Sequence, residues 1–213
     1  IQPFFDEIDY ELATPMLKIK ELTDGGKTGS HSEAWPVGLS TGEIYFSVTT
    51  DIMKMRTGYT NMACGQVKAV HVKFGFKDNK IYVAKEFPKR SCPFKTVLAH
   101  EEKHKAVDRA LVEEYTEKAH KMYEAAAKKI GMMRAGSPVA IDDNINSVLN
   151  DTTNKLSSEI EAEHSHRQKE IDSPEEYQRV TDSCDGRTME IVQQRLKIME
   201  ATHPGITKVN EYR

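Results

Sequence analysis

Residues Lys95 to Met132 read KTVLAHEEKHKAVDRALVEEYTEKAHKMYEAAAKKIGM. Neither glycine nor proline interrupts this stretch before Gly131, and strong helix formers dominate it. Its apolar residues recur at intervals of three and four, which is the period of an amphipathic helix. The stretch therefore predicts one long helix, about 54 Å long if unbroken, which Gly131 and the Gly136-Ser137-Pro138 segment bring to an end.

Two further helices are predicted beyond that turn. One runs from about Val139 to Ile171, and the other covers Arg187 to Ala201. Between them, Ser173 followed by Pro174 has the pattern of a helix cap with proline at the first helical position. Because a short turn joins the first two helices, we expect them to pack as an antiparallel hairpin. The second helix carries one stripe of core-facing positions: Ile141, Ile145, Leu149, Thr152, Leu156 and Ile160.

Residues 1–93 predict mostly strands and loops. Glu43 to Thr50 is rich in β-branched and aromatic residues, which is typical of a strand. Residues 66–84 alternate apolar and polar side chains around Lys77-Asp78-Asn79, a favourable turn sequence, and so predict a β-hairpin. The expected fold class is α+β, with a small N-terminal antiparallel sheet packed on the long helical hairpin. We expect a single domain over 1–213, in which residues 94–213 are helical.

Composition excludes some classes of function. The 213 residues include 30 basic and 33 acidic side chains, for a net charge of −3, and no basic block stands out. A protein that binds nucleic acid by neutralising phosphates is therefore not expected. No uninterrupted apolar run approaches the roughly 18 residues of a membrane span, so none is predicted.

The chemistry is concentrated near the start of the first long helix. Residues 100–104 read HEEKH, which matches the pattern HExxH. Histidines four positions apart lie on one face of a helix, so His100 and His104 can both reach one metal ion. Glu101 can then take a proton from a metal-bound water. The alternative is a polar helix face on which two histidines coincide.

A catalytic zinc site normally has three protein ligands and one open position, so a third ligand must be found. If the two long helices pack antiparallel, residue 102 lies level with about residue 168. At about 100° per residue, Glu163 matches the direction of the stripe most closely. A carboxylate buried there needs a partner, and the sequence predicts Glu163 as the third zinc ligand.

Other candidates for the third ligand stay open. Glu170 and His166 lie near the same level, and Asp108 follows the second histidine by four residues on the same face. Asp108 is better suited to orient a histidine by accepting its second N–H, although a solvated acid would also fit the pattern. Glu163 could instead pair with Arg167 at a wet edge.

The three cysteines, Cys64, Cys92 and Cys184, fit no CxxC zinc or redox motif. Cys64 and Cys92 flank the predicted β-hairpin, so a disulfide between them would tie the sheet to the start of the long helix. Two buried thiols are the alternative. Cys184 is left free or paired outside this chain.

The segment from Cys64 to His104, CGQVKAVHVKFGFKDNKIYVAKEFPKRSCPFKTVLAHEEKH, resembles a group of bacterial exported proteins assigned as zincin-type metallopeptidases. Those proteins have a cysteine before a pair of strands, a Cys-Pro-aromatic step, and then HExxH on a long helix. Glu163 to Asp172, EHSHRQKEID, resembles their second-helix segment, where an Arg-Gln pair precedes an aliphatic-Asp step. The resemblance covers about residues 60–180.

The resemblance implies zinc, hydrolysis of peptide bonds and a secreted or periplasmic location. His100, Glu101 and His104 carry over from it, whereas a third ligand does not. An exported protein also favours the Cys64–Cys92 disulfide, which we predict on that ground and on the flanking positions.

The sequence therefore predicts a zinc-dependent metallopeptidase in which Glu101 is the general base for a zinc-activated water. Its expected partner is a protein or peptide substrate, and a peptidoglycan stem peptide is one form of it. Tyr177 is a candidate to stabilise an oxyanion, or else packs at a helix start. The alternative is a non-catalytic envelope or effector binding module whose helical hairpin is the interaction surface.

Overall fold

A computed structural model describes residues 1–24, 35–56 and 62–202. Helices and strands are mixed, and five strands form one sheet. The elements in chain order are β1 (Gln2–Phe5), β2 (Asp9–Thr14), α1 (Met16–Asp24), β3 (Gly38–Arg56), β4 (Ala63–Ala84), α2 (Cys92–Ile130), β5 (Met132–Ala135), α3 (Pro138–Ile171), α4 (Pro174–Thr181) and α5 (Arg187–Thr202).

Strand β4 is the centre of the sheet, because each of the other four strands pairs with it. The strands β1 and β2 run parallel to β4, whereas β5 runs antiparallel to it. The prediction of an antiparallel sheet is therefore wrong for two of these pairs. Parallel partners arise because β1 and β2 come from the start of the chain, far in sequence from β4.

The predicted hairpin over 66–84 is also wrong. Residues 63–84 form one continuous strand of 22 residues. Asp78 does adopt a left-handed conformation, with φ of 53°, but the chain continues in the same strand instead of reversing. Asn79 is buried there and accepts a hydrogen bond from Lys105 Nζ at 3.2 Å. A contact between residues 26 positions apart in sequence is therefore made where the sequence predicts a turn.

The long helices begin and end close to where the sequence predicts. Ser91 Oγ accepts a hydrogen bond from the Phe94 N–H at 3.3 Å, which caps the start of α2 and leaves Pro93 in its first turn. Gly131 follows the last residue of α2 with φ of 54°, a left-handed conformation that suits glycine at a helix end. Local capping therefore sets both ends of α2.

The chain divides into two compact units, each assembled from three separate segments. Unit 1 comprises Ile1–Asp6, Glu43–Lys77 and Val107–Arg167. Unit 2 comprises Glu7–Gly42, Asp78–Ala106 and Gln168–Arg213.

Unit 1 has its own apolar core, built from β4, α2 and α3. Within it, Tyr123 Oη lies 2.7 Å from Thr153 Oγ1, and Arg167 Nη2 donates to Glu114 Oε2 at 2.6 Å. The later residue of α2, Tyr123, pairs with the earlier residue of α3, Thr153, so these helix segments run antiparallel. The predicted stripe residues of α3 that are buried here are Ile141, Ile145, Leu149, Leu156 and Ile160.

Unit 2 has a second core beneath the start of α2. Its fully buried side chains include Met16 and Ile19 of α1, Ile81 and Val83 of β4, and Phe87. None of the helices within the described ranges is long and apolar enough to cross a membrane.

Candidate metal centre

The two histidines of the HExxH motif lie side by side in unit 2 with one nitrogen of each ring turned toward the other. His100 Nε2 and His104 Nε2 are 3.3 Å apart, and the rings meet edge to face with centroids 5.0 Å apart. Both side chains are buried. The spacing of four residues along α2 therefore brings two imidazole lone pairs to one point, as the sequence predicts.

The third member of this cluster is Asp172. It is the first residue beyond α3, and its backbone N–H still donates to Gln168 O at 3.0 Å. Asp172 Oδ1 lies 3.3 Å from His100 Nε2 and 3.2 Å from His104 Nε2. Among the residues that the structure describes, His100, His104 and Asp172 form a group that could hold a metal ion. We call these three residues the His-His-Asp cluster.

The geometry of the cluster fits a small tetrahedral cation. Ligand bonds of about 2.0–2.1 Å at tetrahedral angles separate neighbouring ligand atoms by about 3.3 Å. The three distances within the cluster, 3.3, 3.3 and 3.2 Å, have this value. The side chain of Asp172 is 41% exposed, so one side of the cluster faces solvent. Two imidazoles and a carboxylate at these distances leave room for a fourth ligand from solution.

The outer nitrogen of each histidine is also held. His100 Nδ1 lies 3.2 Å from Glu176 Oε1, and His104 Nδ1 contacts Gln168 Oε1. Gln168 Nε2 in turn donates to His104 O at 3.3 Å. An N–H that is donated from Nδ1 leaves the lone pair of Nε2 free to bind a metal. Glu176 and Gln168 thus fix the rings in the orientation and tautomer that a metal requires.

Glu176 is placed by a local helix start. Ser173 Oγ accepts the Glu176 N–H at 3.3 Å as the N-cap of α4, and Pro174 occupies the first turn, as the sequence predicts. The Glu176 carboxylate also accepts from Lys103 Nζ at 2.5 Å and from Arg179 Nε at 2.7 Å. These partners hold the pKa of Glu176 well below its usual range, with Arg179 the largest cause. Glu176 therefore stays ionised beside His100.

The charges of the cluster reinforce one another in the metal-free protein. The hydrogen bond to Asp172 raises the pKa of His100. Burial works to lower the pKa of His104, but hydrogen bonds to Asp172 and Gln168 outweigh it, and the net shift is upward. Burial works to raise the pKa of Asp172, but the two histidines outweigh it and hold that pKa far below its usual range. Asp172 is therefore ionised, and its negative charge between the two histidines favours binding of a cation.

Glu101 is buried next to the first histidine, with 5% of its surface exposed. Burial raises its pKa to about 7, against the lowering effect of His104 and His100. The charge of Lys105 also works to lower this pKa, with a smaller effect than the two histidines. A carboxyl group with a pKa near 7 can both accept and return a proton near neutral pH.

Tyr177 borders the same site from α4. Its ring centroid lies 6.5 Å from that of His100, and the residue is 48% exposed. Burial of the hydroxyl, together with the carboxylates of Asp172 and Glu101, raises the pKa of Tyr177. Its hydroxyl therefore stays protonated and can donate a hydrogen bond.

The predicted third ligand, Glu163, is not a member of the cluster. In unit 1 its carboxylate accepts from Arg167 Nε at 2.7 Å, which is the salt bridge that the sequence left as the alternative. The other candidates, Glu170 and His166, are not members either. Asp108 Oδ1 lies 2.8 Å from His164 Nε2 within unit 1. Asp172, which supplies the carboxylate, was not among the candidates.

A signal for Asp172 does exist in the sequence. The segment EHSHRQKEID ends on Ile171-Asp172, and Gln168 and Asp172 have the same spacing of four as the two histidines. An antiparallel pair of helices places such equal spacings opposite each other. Asp172 lies just beyond the predicted helix end at Ile171, so positions counted along that helix do not reach it.

The predicted Cys64–Cys92 disulfide is wrong. Cys92 is bonded to Cys184, with a Cα–Cα distance of 5.8 Å, and Cys64 is a free thiol. The prediction depended on a hairpin that would return the chain from residue 64 toward residue 92, whereas 63–84 is one extended strand. The observed bond joins the first residue of α2 to the segment between α4 and α5, all within unit 2. Such a disulfide fits an extracellular location.

Comparisons with protein-family models, with curated proteins and with solved structures found no match.

Proposed function

We propose that the chain is a zinc-dependent metallopeptidase of the zincin type, in which the helical hairpin carries the HExxH motif. The observation that carries the proposal is the set of distances of 3.2–3.3 Å within the His-His-Asp cluster, beside a buried glutamate. Two neutral imidazoles and a carboxylate suit zinc, and three protein ligands are the number that catalytic zinc sites use. Bound zinc would polarise the scissile carbonyl and make water a better nucleophile.

The residues of the chain have distinct roles in this proposal. His100, His104 and Asp172 hold the metal, while Glu176 and Gln168 orient the two rings. Glu101 takes the proton from the attacking water and later gives it to the leaving amine, a role that its pKa near 7 favours.

Tyr177 is the candidate donor to the oxygen that becomes negative as water adds to the carbonyl. Its partly exposed ring beside His100 and its protonated hydroxyl support this role.

The substrate class in the proposal is an extended peptide, from an unfolded protein or a peptidoglycan stem. The proposed location is secreted or periplasmic, which the Cys92–Cys184 disulfide supports. Neither nucleic acid nor a membrane span is part of the proposal.

One observation favours a second candidate, a metal-stabilised binding module without catalysis. Glu101 is 5% exposed, so a proton relay through it requires water to reach a largely buried carboxylate. In this candidate the metal would only stabilise the fold, and the surface of the long helices would bind a partner.

Zinc content and cleavage decide between the two candidates. The purified protein should contain about one zinc per chain, and His104→Ala should lose most of it. The parent should cleave an unfolded protein such as reduced casein, and should stop when a chelator removes the zinc. Bound zinc without any cleavage would favour the binding module, and a parent without zinc would contradict both candidates.

A further inference from the structure

The start of strand β3 passes directly over the proposed general base. A Cβ atom built on Gly38 would lie 2.3 Å from Glu101 Oε1 and 2.9 Å from Glu101 Cδ. It would also lie 2.8 Å from Val97 Cγ1, one turn earlier on α2. Non-bonded carbon and oxygen atoms approach to about 3.3 Å, so a side chain at position 38 would require these atoms to shift. The Glu101 carboxylate thus occupies the space that a side chain at position 38 would need.

The glycine is required here for space and not for backbone conformation. The glycines with positive φ in the described part of the chain are Gly131 and Gly186, so Gly38 has a conformation open to any residue. Next to it, Val37 O accepts the Ala84 N–H at 2.9 Å, which ties the start of β3 to β4. The strand is therefore held close to α2, and the Glu101 side chain is the part able to move.

We propose that Gly38 is a positioning residue for Glu101. Because Gly38 has no side chain, the strand can cover the Glu101 carboxylate without displacing it. The carboxylate then keeps its position beside the His-His-Asp cluster. A larger residue would displace the carboxylate within a protein that is otherwise folded. The catalytic consequence rests on the proposed function, because it requires Glu101 to be the base; the packing relationship does not.

A thermodynamic cycle on the metal-free protein tests the packing without reference to activity. The variants are Gly38→Ala, Glu101→Ala and the double variant, and the measurement is the melting temperature of each. Gly38→Ala should lower the melting temperature of the parent by at least about 4 °C more than it lowers that of Glu101→Ala, because the shorter side chain removes the two closest contacts with Glu101 and leaves only the one with Val97. Equal losses in the two backgrounds would overturn the proposal.

Gly65→Ala is the matched control. Its Cβ would lie 2.5 Å from Ile141 Cγ2, so it is similarly crowded, but the neighbours of this position all belong to Ile141. Its cost should be the same with and without the Glu101 side chain. If Gly38→Ala alone does not yield folded protein, recovery of folding in the double variant supports the proposal, and failure of both overturns it.

A second measurement connects the packing to catalysis. In the zinc-loaded protein, Gly38→Ala should keep its zinc and lose about 100-fold in kcat on casein, with KM nearly unchanged, because a displacement of about 1 Å has costs of this size. A Gly38→Ala variant with the kcat of the parent would overturn the proposal. A parent that binds zinc but cleaves nothing would contradict the proposed function instead, and the melting-temperature cycle would still decide on Gly38.

Discussion

Asp172 Oδ1 lies 3.2 Å from His104 Nε2, although the two residues belong to different helical segments 68 positions apart in sequence. Asp172 directly follows the last residue of α3, at the level where α2 presents both motif histidines. The cluster therefore depends on a helix ending at the right residue as much as on the HExxH spacing.

Asp172→Ala should weaken zinc binding by more than about 100-fold, since loss of a direct ligand should exceed the 10–100-fold typical of outer-sphere partners. Glu163→Gln is the matched control. Its carboxylate pairs with Arg167, so the affinity should change little. The measurement is competition for zinc with a chromophoric chelator. A Glu163→Gln variant that loses zinc while Asp172→Ala retains it would reverse the assignment.

Glu176→Gln should weaken zinc binding by about 10- to 100-fold, because the amide is a poorer partner for the His100 N–H and carries no charge. Glu175→Gln, at the neighbouring exposed position of α4, should bind zinc like the parent. Calorimetric titration of both variants with zinc checks this. Equal affinities for the two would mean that Glu176 does not support the histidine.

The metal-free protein should lose stability as pH rises from about 5 to 8. The pKa values of His100 and His104 are raised on folding, so their stabilising effect is complete below the unfolded value of about 6.5 and is lost above it. The pKa of Glu101 is raised to about 7 in the folded protein. Above about pH 4.3 this glutamate is ionised in the unfolded state but still protonated in the folded state, so the free energy of unfolding falls as the pH rises. Asp172 has a lowered pKa and loses its stabilising effect only below about pH 4.

Urea unfolding at several pH values, with and without zinc, measures this trend. Glu101→Gln removes one of the titrating groups and should flatten the slope between about pH 5 and 7. Zinc should oppose the trend, because it binds neutral imidazoles and its affinity rises as the histidines lose their protons. Metal-free protein that gains stability toward pH 8 would be inconsistent with these shifts.

The disulfide predicts both thiol content and stability. Denatured, unreduced protein should contain one free thiol, on Cys64, and finding three would rule out the bond. Cys184→Ser should lower the free energy of unfolding by about 4.6 kcal/mol on the chain-entropy model, because the bond closes a loop of roughly 90 residues. Cys64→Ser is the control and should change stability little.

The parts of the fold that sequence predicts well are those fixed by neighbouring residues. Both ends of α2 and the start of α3 follow from Ser91, Gly131 and Pro138, which act within one turn of their own positions. The helical spacing that brings His100 and His104 together is equally local. Patterns of this kind can be read without knowing the rest of the molecule.

The parts that sequence misses depend on distant contacts. Lys77-Asp78-Asn79 has the composition of a turn, but burial of Asn79 against Lys105 and pairing on both sides keep the strand extended. The sequence predicts Glu163, inside the helix, as the carboxylate beside the two histidines, whereas the cluster contains Asp172. The direction of an apolar stripe says nothing about a residue beyond the helix end.

The central claim is that Glu101 transfers a proton at a metal held by its neighbours, and one comparison of rates tests it most directly. Glu101→Gln and Glu102→Gln each remove one carboxylate at adjacent positions, the first buried and the second exposed. Both should bind one zinc per chain, and initial rates of casein cleavage are then measured at equal zinc loading. We expect Glu101→Gln to be slower than the parent by about 10²–10⁴-fold and Glu102→Gln to match the parent. Cleavage by Glu101→Gln at the rate of the parent would contradict the account.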